Sequence, residues 1–142
     1  MNRIKIFFVS CILFVLCVVG FSACNKGGEV KASILSATDT QVVIRIDETD
    51  GKGTLGNAME KLQRDGEWTY TASAGMLSSI NGVENTADYS YCWMLYTSDS
   101  EMANTAWGTV EYDGMVLGSA VVGYSDLTVI ENGIYIWVYQ SF

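Results

Sequence analysis

The chemistry open to this chain is limited first by what its residues omit. Histidine is absent throughout, which removes a Ser-His-Asp triad, a Cys-His pair and every histidine metal site. No GxxxxGK[ST] loop is present, and no GxGxxG follows a strand to cradle a phosphate. Glu101, Glu111 and Asp113 are of the type that cleaves glycosidic bonds in pairs. Nothing in their spacing, however, sets the fixed separation that such a pair requires. Asp47-Glu48-Thr49-Asp50-Gly51 offers oxygens, but glycine at the fifth place breaks the 1-3-5 pattern of a calcium loop, so a solvated turn is expected. Catalysis and a metal site are therefore not expected. The side chains left with something to do are two thiols, Cys24 and Cys92, and the aromatic run Tyr89-Ser90-Tyr91-Cys92-Trp93-Met94-Leu95-Tyr96.

Cys24 stands at the end of an export signal. Arg3 and Lys5 open the chain, and the stretch Ile6 to Gly20 is apolar apart from Ser10. Small residues then precede a cysteine, which is the order of a secretory signal peptide. At about fifteen residues the apolar stretch falls short of the ~20 that span a bilayer as a helix. Ser22-Ala23-Cys24 resembles a bacterial lipobox, with Phe21 where Leu is usual. The resemblance implies that residues 1–23 are removed and that Cys24 is lipidated. Its acyl chains would hold the protein on the bacterial cell membrane or cell surface. Asn25 to Gly28 would serve as a short tether. The alternatives are an uncleaved signal anchor and an ordinary cleaved signal that leaves Cys24 an incidental thiol.

Charge narrows the partners. The chain has 8 basic residues against 16 acidic ones, and removal of Arg3 and Lys5 leaves it more acidic still. From Asp65 onward there is no Lys or Arg at all. Nucleic acid and anionic lipid surfaces are thereby disfavoured, because both are gripped through Lys and Arg. Cys11 and Cys17 leave with the signal and Cys24 takes lipid, so Cys92 has no disulfide partner within the chain. It reads as a small buried apolar side chain.

The elements that position these residues are mostly strands. The chain has no proline, and its many Thr, Tyr, Val and Ile residues are broken at short intervals by turn signals. Expected strands are a weak one near Val30 to Leu35, then Gln41 to Asp47, Trp68 to Ala72, Ser90 to Thr97, Ala106 to Tyr112, Val116 to Val122 and Gly133 to Gln140. Asn81-Gly82, Asp113-Gly114 and Asn132-Gly133 are the turn signals, since Asn, Asp and Gly tolerate positive φ. Ser98 to Asn104 reads as a surface loop. One helix is expected over Gly53 to Arg64. Leu55, Ala58, Met59 and Leu62 fall at i, i+3, i+4 and i+7, on one face. Thr54 is its expected N-cap, Lys61 and Arg64 complement its C-terminal dipole, and Gly66 stops it. The fold class is α+β: a single compact domain, mainly antiparallel β-sheet, with one packed α-helix.

If Tyr89 to Tyr96 is a strand, Tyr89, Tyr91, Trp93 and Leu95 share one face, and Cys92, Met94 and Tyr96 share the other. Both faces are apolar or aromatic. The strand is either central and buried on each side, or leaves one face open to a planar or apolar ligand. Trp68, and Trp137 with Tyr135 and Tyr139, read as packing residues; for Trp107, after the polar loop, rimming a cleft is the lesser of two readings.

The order of motifs then becomes recognisable. Thr54-Leu55-Gly56-Asn57-Ala58-Met59 opens the helix, and Leu77-Ser78-Ser79-Ile80-Asn81-Gly82-Val83-Glu84 follows. Tyr91-Cys92-Trp93-Met94-Leu95-Tyr96 comes next, and Val129-Ile130-Glu131-Asn132-Gly133-Ile134-Tyr135-Ile136-Trp137-Val138-Tyr139 closes the chain. In this order they resemble the transcobalamin-like C-terminal domain family, over residues 41–142, with 24–40 as lipidated cysteine, tether and first weak strand. The resemblance implies a non-catalytic ligand-binding domain whose candidate ligand is cobalamin or another corrinoid. By the same resemblance, Trp93, Met94, Leu95 and Tyr96 are its site residues. In that family the domain closes over its ligand against a larger helical domain, which this chain lacks. A separate helical-domain protein is therefore an implied partner, and the alternative is a protein-interaction or structural module of the cell surface.

Overall fold

The computed structural model describes residues 27–141; the expected export signal and the expected lipidated Cys24 lie outside the described residues. The strands are β1 (Val30–Ala37), β2 (Gln41–Thr49), β3 (Tyr70–Ser73), β4 (Met76–Ile80), β5 (Val83–Glu84), β6 (Tyr91–Thr97), β7 (Ala103–Tyr112), β8 (Met115–Ala120) and β9 (Ile134–Ser141). The helix α1 is Leu55–Arg64. Six strands form one antiparallel sheet in the order β1-β2-β9-β6-β8-β7, and β3-β4-β5 form a second, smaller one. The expected α+β class, mainly antiparallel sheet with one helix, holds.

Alternation along the strands of the main sheet makes two cores. Val42, Ile44 and Ile46 of β2, Trp93 and Leu95 of β6, and Tyr135 and Trp137 of β9 face one side. There they meet Leu55, Ala58, Met59 and Leu62 of α1 together with Leu77 and Ile80 of the small sheet. Val43, Tyr96, Ile134 and Ile136 face the other side, under Val110, Tyr112 and Leu117. The far half of the β7–β8 hairpin thus folds over the sheet's second face. The swing occurs at an irregularity in the pairing between Asn104 and Thr109, where Gly108 takes φ +135°.

Helix α1 is capped at its start by its own sequence. Thr54 Oγ1 accepts from the Asn57 amide at 3.3 Å, and Asn57 Oδ1 accepts in return from the Thr54 amide at 2.9 Å. Asn here takes the part that Glu or Gln plays in the usual capping box. The next orphan donors go to the chain near the C-terminus: Leu55 N–H to Leu127 O at 2.8 Å and Gly56 N–H to Tyr124 O at 2.9 Å. Gly56 sits close enough to this segment that a Cβ would meet Ser125 Cα at 3.4 Å. The helix start and the Tyr124–Leu127 segment therefore hold each other.

The structure departs from the sequence-based expectations in several places. The expected loop Asp47-Glu48-Thr49 is the end of β2, paired with β1 through Lys31↔Glu48 and Val30↔Thr49. A polar run remains a strand here because its neighbour supplies the ladder and an opposite charge across it. β1 pairs along its length with β2, so the packed domain reaches back to Val30. Ala103 and Asn104, expected in a loop, begin β7. Val121 and Val122, expected in a strand, lie beyond β8. β4 was not expected at all, and Trp68 stands before β3 rather than in it. The β3–β4 turn is Ala74-Gly75, with φ +51° and +78°. Asn81-Gly82 and Asp113-Gly114 make the equivalent double positive-φ turns as expected.

Removing either arm of the cap tests how much it holds. Thr54→Ala and Asn57→Ala are each expected to cost about 1 kcal/mol in urea unfolding, with Thr54→Ser close to wild type.

Candidate functional site

The site arises where the main sheet fails to close. β6 pairs with β9 along its whole length, from Tyr91↔Ser141 to Thr97↔Tyr135. With β8 it pairs only at Tyr96↔Ser119 and Thr97↔Gly118. β8 ends at Ala120 and the chain leaves the sheet. The first five residues of β6 are therefore without a strand on that side, and a cleft of about 590 Å³ opens along them.

Its floor is Trp93, Leu95 and Trp137 from β6 and β9. One wall is Met76 and Leu77 of β4 with Asn85 and Tyr89, and the other runs from Ala120 to Tyr124. Cys92 and Met94 also border it. No lining residue carries a charge. Met76, Tyr89, Val121 and Val122 are exposed large apolar residues gathered at one place on the surface, a grouping that marks contact sites rather than isolated surface residues.

The bare edge of β6 is partly satisfied from the segment after β5. Asn85 Oδ1 accepts from the Trp93 amide at 3.0 Å, while its Nδ2 donates to Leu77 O at 2.8 Å. Thr86 engages both main-chain groups of Tyr91, its amide donating to Tyr91 O at 3.0 Å and its side-chain Oγ1 accepting from the Tyr91 amide at 3.0 Å. Asn85 thus stitches β4 to β6 and sets the cleft's inner end.

The aromatic side chains are held by specific contacts. Trp93 Nε1 donates to Val83 O at 2.8 Å, and its ring lies 5.4 Å from that of Tyr139. Tyr139 is fixed in turn by its hydroxyl, which donates to Glu84 O at 3.0 Å. The Trp137 indole stands edge-on to Tyr124 with centroids 6.1 Å apart, and Tyr124 is likewise edge-on to Tyr70. Burial pushes the Tyr124 and Tyr70 phenols above their ordinary value, and nearby negative charge adds to it. Both stay protonated at neutral pH. Tyr89 is held at φ +56°, a left-handed conformation that a bulky side chain rarely takes. Asp88, whose carboxyl Ser90 hydrogen bonds hold down at about 2, shapes the same turn.

Of the expected site residues, the structure brings Trp93, Met94 and Leu95 to the cleft. Tyr96 is not there. It is buried in the second core, where its hydroxyl accepts from Gln140 Nε2 at 2.8 Å. Strand alternation turns it away, and at its position β8 is already paired, so no gap opens beside it. Met94 shares Tyr96's parity and still borders the cleft because β8 is missing at its level.

Cys92, expected in the core, is half-buried at the cleft, 3.7 Å from Met94 Sδ, and burial pushes its thiol up. Trp107, for which a cleft rim was the lesser reading, is 63 % exposed and does not line the cleft. Trp137 packs as expected but also floors the cleft. Glu101, Glu111 and Asp113 lie outside the cleft lining. Among the described residues no three Cys, Asp or Glu gather as metal ligands, and no helix is long and apolar enough to cross a membrane. Tyr89, expected on the aromatic strand, lies in the turn before β6 and lines the cleft from there, while Met76 and Val121 to Tyr124 were missed; the run Val121-Val122-Gly123 ahead of a tyrosine was the available signal.

Comparison with known protein families, with curated proteins and with solved structures returns no match.

The strained tyrosine gives a test of whether the cleft is built for use. Tyr89→Gly relieves the left-handed conformation, so unfolding in urea is expected to show a gain of about 1 kcal/mol. A loss instead would mean that the Tyr89 ring contributes more to the fold than its conformation costs.

Proposed function

We propose that this chain is a bacterial lipoprotein, exported and held on the cell membrane or cell surface through lipid on Cys24. Its domain binds a small ligand without catalysis, in the cleft between β4, β6 and Val121 to Tyr124. The observation that carries the reading is the uncharged, apolar and aromatic lining of that cleft. Its volume of about 590 Å³ falls among small-molecule sites, which run from roughly 300 to 1,000 Å³. Cobalamin or another corrinoid is the candidate ligand. Trp93, Met94 and Leu95, the residues that the transcobalamin-like resemblance assigns to the ligand, border the cleft together. A cleft of this size takes one edge of a macrocycle and leaves the rest for solvent or a separate helical-domain partner.

A second reading is a protein-interaction module of the cell surface. It is favoured by the exposed Met76, Val121 and Val122 beside the partly unpaired edge of β6, which suits an added strand.

Tryptophan fluorescence of the chain purified in mild detergent, titrated with cobalamin and cobinamide, separates the two. Corrinoid binding gives saturable quenching beyond an inner-filter control, weakened at least tenfold by Trp93→Ala. A flat response at tens of micromolar removes the corrinoid and favours the second reading. For the anchor, Cys24→Ser is expected to shift the protein from the membrane fraction to the soluble one. Retention in the membrane fraction would point to an uncleaved signal anchor.

A further inference from the structure

Among the described residues, the segments that build the cleft carry carboxylates and no basic side chain, because every lining residue comes after Arg64. Glu84 precedes Asn85 of the lining, Asp88 precedes Tyr89, and Asp126 follows Tyr124 by two residues. All three acids are exposed. Glu84 also lines a polar groove of about 280 Å³ that shares Asn85 and Tyr89 with the cleft. On the helix side, Glu60 is near enough to act on Tyr124: burial first, and then this carboxylate, raises the Tyr124 phenol. Lys31, Arg45 and Lys61 are paired with Glu48, Asp47 and Asp65. Lys31, Lys61 and Arg64 line a separate pocket around Gly27 and Gly28.

We infer that the cleft takes a weakly hydrated organic cation, a quaternary ammonium joined to an apolar body, drawn in by the surrounding carboxylates and held among aromatic side chains. This rests on the small-ligand reading of the cleft and fixes the sign of the ligand's charge. Charges of one sign around a low-dielectric cleft raise the local concentration of the opposite ion, so this cleft favours cations and repels anions. Its lining then decides which cation. With no charged side chain in the lining, a metal ion or a primary ammonium would shed tightly held water without compensation. A quaternary ammonium spreads its charge under alkyl groups and gives up little hydration, and the negative face of an aromatic ring attracts it. Four aromatic residues line the cleft, Tyr89 and Tyr124 in its walls and Trp93 and Trp137 in its floor. Tyr89 is the most open of them, at 55 % exposed. The exposed Met76, Val121 and Val122 suit the apolar body.

Three probes test this: (naphthalen-2-ylmethyl)trimethylammonium, its neutral isostere 2-neopentylnaphthalene (carbon in place of the charged nitrogen) and the anion 2-naphthylacetate. Each is titrated by proton resonance against the full chain in one nonionic detergent, with its partition into micelles measured without protein. The cation is expected to bind wild type about tenfold more tightly than the isostere, and the anion most weakly. The triple variant Glu60→Gln, Glu84→Gln, Asp126→Asn weakens the cation about fivefold and leaves the isostere unchanged. Asp88 is kept, since its hydrogen bonds with Ser90 shape the turn. Raising salt to about 0.5 M in wild type weakens the cation alone, a readout that stands even where the variant fails to fold. Bound among aromatic rings, the ammonium methyl resonance moves upfield. Equal affinity for cation and isostere, a preference that survives both neutralisation and salt, or a still methyl resonance overturns the inference and leaves the cleft reading intact. Failure of every probe to bind wild type overturns both.

Discussion

The molecule is organised by the need to find hydrogen-bond partners for β6 after β8 has left it. A strand in the middle of a sheet presents amides and carbonyls along two edges, and those closed off from water need partners. β9 serves one edge of β6 in full; β8 serves the other for two residue pairs only. Part of the rest is served by Asn85 and Thr86, which requires the chain after β5 to lie against β6. That requirement brings β3, β4 and β5 onto the same face as α1. The small sheet and the cleft are thus two results of one early divergence between strands.

The opposite wall depends on a different shortage. An α-helix leaves its first amides without internal acceptors. Here Thr54, Tyr124 and Leu127 supply them, so the segment after β8 is drawn toward α1 and away from β6. The same tie that completes the helix keeps Val121 to Tyr124 from continuing the ladder. Helix capping and the open cleft are mechanically linked, although Thr54 itself does not line the cleft.

Much of the frame was legible in the sequence because it is local. The 3.6-residue spacing of Leu55, Ala58, Met59 and Leu62 and the Thr54 hydroxyl fix the helix within a few residues of each other. Asn81-Gly82 and Asp113-Gly114 carry their positive φ values in their side chains. Ala74-Gly75 does not, since alanine gives no sign that it will take φ +51°, and β4 was lost with it. The polar end of β2 was misread for the same reason: its strand state comes from the partner across the ladder. The site was legible by one strand. Trp93, Met94 and Leu95 could be singled out as a run, but Tyr96 could not be excluded without knowing where β8 stops. Met76 and Tyr124 reach the cleft from two further segments, and only the apolar run Val121-Val122 ahead of Tyr124 hints at it.

The sheet order has a consequence for when the fold can form. β9, the last strand, lies between β2 and β6, so the first and middle parts of the chain have no direct ladder to one another. Until Ile134 to Ser141 is present, the main sheet is two separate pieces with apolar edges. Holding back Ile134 to Ser141 therefore holds back the whole main sheet. Contacts spanning nearly the full chain also make the closing step slow.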